Sequence, residues 1–249
     1  MLSGRRATVA AVLLSALSCG SDALAYRPFE GTDAAVADQG EMEIEFGPAE
    51  PMRVGSQHFL TAPETVFNIG IADGWEAVLQ GQAVTTLSPG PAQTSLLGNG
   101  FFLKNVVRAG VLQDKPGPSV AIEVGPLLPG VNGERGTGVS WNGIASYRWG
   151  WLTAQFNVAA AMTRNHHADG FVGTIVEGPW DWPVRPVAEI FYEREWGVAE
   201  TVAGLAGAIW QVSDKLAFDI ALRDARVNGH TVNELRAGVT FALPLWRSP

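Results

Sequence analysis

Cysteine is almost missing: among 249 residues there is one, Cys19. Basic residues are also few, with 17 Lys and Arg against 25 Asp and Glu and a net charge of −8. That balance leaves no cationic face for nucleic acid. Beyond Leu17 no run of 18 apolar residues occurs, so no segment has the length of a membrane-spanning helix. Histidine is limited to His58, His166, His167 and His230, which leaves little material for a metal centre or a general base.

The lone cysteine lies in a segment that reads as an address. Arg5 and Arg6 precede the apolar run Ala7 to Leu17, and Ala23 and Ala25 are the small residues of a cleavage site. A secretory signal peptide of residues 1–25, removed before Tyr26, follows; the apolar run is too short to serve as an anchor. A lipoprotein signal at Cys19 would want leucine where Ala16 stands. Loss of Arg5, Arg6 and Asp22 takes the mature charge to −9 and leaves no cysteine, so neither disulfides nor thiol chemistry are available after export. With no internal repeat, residues 26–249 read as one domain.

What fills that domain is alternation. In "FNIGIADGWEAVLQGQ", Phe67, Ile69 and Ile71 alternate with Asn68 and Gly70, and Trp75, Ala77 and Leu79 with Glu76, Val78 and Gln80. Asp73-Gly74 between them is a hairpin signal, expected here as a type I′ turn. Met42, Ile44 and Phe46 are separated by glutamates; Leu216, Phe218, Ile220 and Leu222 oppose Asp219 and Arg223. Twelve strands are expected at 41–47, 64–72, 75–86, 100–112, 119–127, 138–148, 151–163, 171–178, 185–194, 201–212, 216–225 and 231–245. Two places break the pattern: Asn105 falls on the oily side, and 171–178 has no clear parity. Longer connections are expected at 48–63, 87–99, 129–138, 164–170, 195–200 and 226–231, alternating with short ones. Strands of about nine to eleven residues suit a tilted bilayer crossing, and an even count puts both chain ends on one side.

The tryptophans choose between a soluble and a membrane barrel. Trp75, Trp149, Trp151, Trp180, Trp182, Trp210 and Trp246 cluster near the short turns or the C-terminal end, while Trp141 and Trp196 lie toward the other rim. Such a girdle sits at headgroup level, where indole buries its body and wets its N–H. The expected fold is therefore all-β: an antiparallel transmembrane β-barrel of about 12 strands in the outer membrane of a Gram-negative cell. The oily faces meet outer-membrane lipid. The final strand, "ELRAGVTFALPLW", has the alternating, aromatic-ended form recognised by the barrel-assembly machinery, although "RSP" follows Trp246.

If apolar faces look out, charged ones look in. Candidates for lining the lumen are Glu43, Glu45, Glu76, Lys104, Arg108, Glu123, Arg148, Glu189, Glu193, Asp219, Arg223, Glu234 and Arg236. They select a small-molecule solute or, paired with one another, fill a narrow barrel; twelve strands lie between the filled eight and the water-holding sixteen.

Several stretches resemble a family of small proteobacterial proteins named for the meta-pathway of phenol degradation. They are "NIGIADGWEAVLQGQ", "RPVAEIFYERE", "GPSVAIEVGPLLPG" and "GAIWQVSDKLAFDIALRDARVNGHTVNELRAGVTFALP". The resemblance covers most of the mature chain through strand-and-turn patterns rather than chemical signatures. It implies a porin-like outer-membrane channel for hydrophobic or aromatic compounds.

Catalysis finds no foothold. Glu189 and Glu193 share a strand face about 13 Å apart at roughly 3.3 Å per residue, too far for paired carboxylates. In outer-membrane phospholipases a histidine stands two residues before the serine; in "GVSWNG" Ser140 and Asn142 are present but Gly138 takes that place. His166-His167 with Asp169 falls in an expected loop. No catalytic residue, metal or cofactor is assigned. The expected function is a channel or transporter for small molecules. Its rivals are a plugged structural barrel and a soluble secreted barrel that binds a ligand.

Overall fold

The computed structural model describes residues 27–88, 91–133 and 135–246. The expected signal segment, residues 1–25, lies outside them. The strands are β1 (Glu41–Gly47), β2 (Glu50–Val54), β3 (Gln57–Ala72), β4 (Trp75–Ser88), β5 (Gln93–Arg108), β6 (Ser119–Leu127) and β7 (Gly138–Arg148). They continue as β8 (Thr153–Met162), β9 (Ala168–Glu177), β10 (Val184–Glu195), β11 (Ala199–Ser213), β12 (Leu216–Val227) and β13 (His230–Pro244).

All thirteen belong to one sheet in which, from β2 onward, each strand lies antiparallel beside the next in the chain. β1 pairs with β13 from Glu41↔Pro244 to Phe46↔Val239 and with β3 from Met42↔Ile69 to Gly47↔Glu64. β2 continues between the same two neighbours, with Val54 opposite Val232 and Gln57. β1 and β2 are thus one stave, interrupted at 48–49 where Pro48 has no N–H to give. Thirteen strands make twelve staves, closed on themselves with no free edge.

The strands run longer than their apolar alternation. The expected connection 48–63 is β2 and the upper part of β3, and most of 87–99 belongs to β4 and β5. Above the lipid belt both faces of a strand meet water, so polar sequence there does not mean loop. The ladder slips between Thr61 and Glu64, which accommodates Pro63 at an irregularity. The Asp73-Gly74 turn is not type I′: only Gly74 has positive φ (+69°), and the register shifts between Gly70 and Ala72. The two-residue turn with both residues at positive φ is Asn228 (+49°) and Gly229 (+82°), inside the stretch 226–231 expected to be a longer connection.

Facing follows the pleat. On β12, Ala217, Asp219, Ala221 and Ala225 are buried while Phe218, Ile220 and Leu222 are exposed, Leu222 by 66%. Trp75, Trp149, Trp151, Trp180, Trp182, Trp210 and Trp246 are all exposed, at the barrel end where β1 starts and β13 ends. Burying Glu76, Lys104 and Asn157 while exposing Ile190 inverts the order of a soluble protein, and it is the order a lipid-facing barrel needs.

The interior is filled, in part, by chain. Residues 27–40 form no strand and lie within the barrel. Phe29 packs on Val187, Ile209 and Ala217; Ala34 packs with Ala121 and Ile144. β9, without clear parity in the sequence, turns Gly173, Ile175 and Glu177 inward. Ile175 is apolar and fully buried because the barrel core is packed there rather than wet.

Candidate functional site

The lumen gathers most of the buried polar side chains among the described residues. An extended segment inside a barrel carries N–H and C=O groups that no ladder satisfies, and each must find a partner. Side chains of the wall supply them. The Glu189 carboxylate accepts the Glu30 and Gly31 amides at 2.9 and 2.8 Å. Asn157 brackets Thr32, accepting from its N–H at 3.1 Å and donating to its carbonyl at 2.8 Å. Ser146 Oγ accepts the Ala34 amide at 2.9 Å, and Glu76 accepts that of Ala37 at 2.6 Å. The segment thus circles the wall from β10 through β8 and β7 to β4, and returns to β3, where the Gly40 amide donates to Gly70 O at 2.8 Å.

Charge fixes the same path. The Arg27 guanidinium is bonded to Glu50 and Glu64 and lies 3.5 Å from Asp219. Gly238 makes its room: a Cβ there would stand 2.3 Å from Arg27 Nε. Glu30 meets Arg236 and Arg223, and both arginines also reach Glu234 at 3.2 Å. Arg236 donates to Pro28 O at 2.8 Å as well. Lys104 Nζ stands 3.4 Å from Thr32 Oγ1, 3.7 Å from Asp33 and 4.0 Å from Glu76. At the rim where β1 starts, a Cβ on Gly70 would fall 2.0 Å from Asp38 O.

Of the lining candidates, Glu43, Glu45, Glu76, Lys104, Glu189, Asp219, Glu234 and Arg236 are buried. Glu45 accepts Asn68 Nδ2 at 2.6 Å. Glu123, Glu193, Arg148 and Arg223 are half-buried. Glu123 is the cross-strand partner of Lys104, and Arg148 lies over the Trp180 ring at 5.2 Å. Arg108 is placed elsewhere: the β5–β6 ladder slips between Val106 and Arg108, which shifts it to an exposed position at the end of its strand. No strict alternation can anticipate a bulge.

The sequence reasoning passed over the segment itself, with Arg27, Glu30 and Asp33, and the wall residues Glu50, Glu64, Asn157, Glu177 and Arg185. Glu177 pairs with Arg185 at 3.4 Å and accepts Gln155 Nε2 at 2.6 Å. One signal was available: the expected lining carried more carboxylates than cations, so an inward cation was wanting, and Arg27 is one. Also missed was an apolar patch inside the opposite half of the barrel. There Phe191, Ala203, Ala225 and Val232 pack with Met52, Val54, Phe171 and Val227. The Phe171 and Phe191 rings are 5.2 Å apart, and Arg223 lies 5.5 Å from the Phe191 ring centre.

The arrangement combines a lipid-facing wall, a charged and hydrogen-bonding lumen, and a segment of the same chain held across it. His167 Nδ1 is 3.4 Å from Glu195 at the rim. Among the described residues no group of three or more His, Cys, Asp or Glu is arranged to hold a metal ion.

Neither the family models nor the curated proteins compared with this chain give a match. Solved barrels do. An outer-membrane channel from Pseudomonas putida F1 superposes with a TM-score of 0.61 at 10% identity, over 84% of this chain and 97% of that one. The KdgM porin gives 0.52 at 11% identity over 80% and 98%. The translocator domain of the autotransporter NalP from Neisseria meningitidis gives 0.51 at 11% identity over 95% of both chains. At these identities the likeness is one of fold.

Proposed function

We propose that the protein is an outer-membrane channel for small molecules whose passage is limited by its own N-terminal segment, residues 27–40. The observation that carries this reading is a column of charged and hydrogen-bonding groups inside a wall whose outer face is apolar. Lipid on the outside forces such groups inward, and a polar column across a bilayer is a route for solutes. Two barrels of the same fold are an outer-membrane channel and a porin, which accords with it. The solutes are small and carry an apolar part, because Phe171, Phe191, Met52 and Val54 offer an apolar surface within the lumen. Membership of the family named for the meta-pathway of phenol degradation belongs to this proposal. So does export under a signal peptide of residues 1–25, with insertion by the barrel-assembly machinery. The girdle and the belt argue against a soluble ligand-binding barrel.

A plugged structural barrel is the reading that the segment's many hydrogen bonds favour. Planar-bilayer recordings of the mature chain and of a form lacking residues 27–39 separate the two. A channel gives resolvable conductance that rises when the segment is removed. A barrel sealed for structural reasons gives none in the mature chain and unfolds at lower denaturant once truncated.

A further inference from the structure

Glu30 is the outward end of an internal ion pair, and the site that holds it is built for a carboxylate in general. Arg223 and Arg236 project from neighbouring strands, β12 and β13, and converge on Glu30 Oε1. Among the described wall residues, Glu234 is the one that forms ion pairs with both. Take Glu30 away and Glu234 is the direct ion-pair partner left to the two guanidiniums among the described residues, with Glu193 near Arg223 and Glu64 and Glu189 near Arg236 acting from farther off. Arg236 Nε is buried without a hydrogen-bond acceptor, and Arg223 Nε, which also makes no hydrogen bond, is the atom that stands 3.5 Å from Glu30 Oε1. A guanidinium offers five N–H groups in a fixed fork that matches a carboxylate. Glu30 itself is not sealed in: its side chain keeps 35% of its surface open. Beside the pair stands the apolar patch, with Arg223 against the Phe191 ring and Phe171 beyond it.

From this juxtaposition we infer that Arg223 and Arg236, with Phe171 and Phe191, form a binding site for small solutes that carry a carboxylate on an apolar body. Glu30 occupies the site as a tethered competitor. An incoming carboxylate replaces Glu30 on the two arginines, and its apolar body covers the two rings. Once Glu30 is displaced, residues 29–31 lose one of the ties that hold them on the wall. The inference rests on the channel reading and names the solute class for it. A tethered group is present at high effective concentration, so it lowers the apparent affinity for a free ligand by the fraction of time that it fills the site.

The experiment is equilibrium dialysis of radiolabelled phenylacetate, and of neutral phenylacetamide, against the full mature chain in detergent. Glu30→Gln removes the competitor's charge and is expected to tighten phenylacetate binding about ten-fold, as for a competitor that fills the site roughly nine-tenths of the time. Phenylacetamide should not change. Adding Arg223→Gln to Glu30→Gln should abolish the gain, and heat-modifiable migration on a gel verifies that each barrel is folded. No gain for phenylacetate in Glu30→Gln, or an equal gain for phenylacetamide, overturns the inference. Bilayer recordings on the same preparations keep the two readings apart. Selective binding without conductance removes the channel and leaves the site; conductance without selective binding removes the site and leaves the channel.

Discussion

Replacing Lys104 by methionine tests whether the lumen is held by charge. The ammonium is 1% exposed and stands 3.7 Å from Asp33 on the segment and 4.0 Å from Glu76 on β4. Glu123 is its cross-strand partner on β6. At an effective dielectric near 20, one such contact at 4 Å is worth about 4 kcal/mol gross, so two give about 8. Returning the ammonium to water in the unfolded state recovers several of these, which leaves a net loss of about 3–5 kcal/mol for breaking a buried pair on one side. Glu76 keeps its hydrogen bond from the Ala37 amide, so removing its charge in Lys104→Met/Glu76→Gln should restore at least half of the loss. Urea titration in lipid vesicles, followed by tryptophan emission and gel mobility, measures both. A loss under about 1 kcal/mol for Lys104→Met, or a double variant no more stable than the single, would refute the electrostatic account.

Facing can be read from a pair of arginine substitutions. Ile220→Arg on the exposed mid-belt face of β12 should cost about 2–4 kcal/mol, and Val212→Arg, near the girdle beside Trp210, about 1 or less; equal costs would mean that the belt is misplaced. At the rim where β1 starts and β13 ends, the three atoms nearest to a Cβ on Gly70 belong to Asp38 and Ala37 of the segment. Gly70→Val should therefore free the segment to protease in detergent while the barrel keeps its heat-modifiable band, and protection equal to that of the parent would count against the seating described above.

Much of the wall was legible because lipid on one side and polar chain on the other enforce a period of two. β4, β12 and β13 alternate without a break over their membrane lengths, and the girdle marks where they end. Asn105, a misfit by parity, faces outward at the rim. It is the cross-strand partner of Trp75 and donates to Gly74 O at 3.0 Å, so it lies at headgroup depth, where polarity costs little. The strand around Ile175 was illegible for a different reason. Alternation assumes a wet lumen, and a filled one admits Ile144, Ile175 and Ile209 on the inner face. The segment 27–40 has no period to read; its conformation is set by Glu189, Asn157, Ser146 and Glu76, which lie 39 to 159 positions away along the chain. Arg108 and Gly74 were misjudged because bulges shift register at both places, and a register shift leaves no compositional trace.

Whether the seated segment governs passage through the lumen can be decided with a reversible tether. A Cβ on Gly31 would lie 3.2 Å from Asn157 Cγ, the place a cysteine Sγ would take, and a Cβ stands roughly 3 Å from the far sulfur across a disulfide. No cysteine follows Cys19 in the sequence, so the pair Gly31→Cys/Asn157→Cys has no competing thiol in the mature chain. Conductance of this variant is recorded in a planar bilayer, first oxidised and then after a reductant is added to the same membrane. Low conductance is expected with the tether closed and a several-fold rise on reduction, with neither change in the parent chain. Conductance that is the same before and after reduction would contradict it.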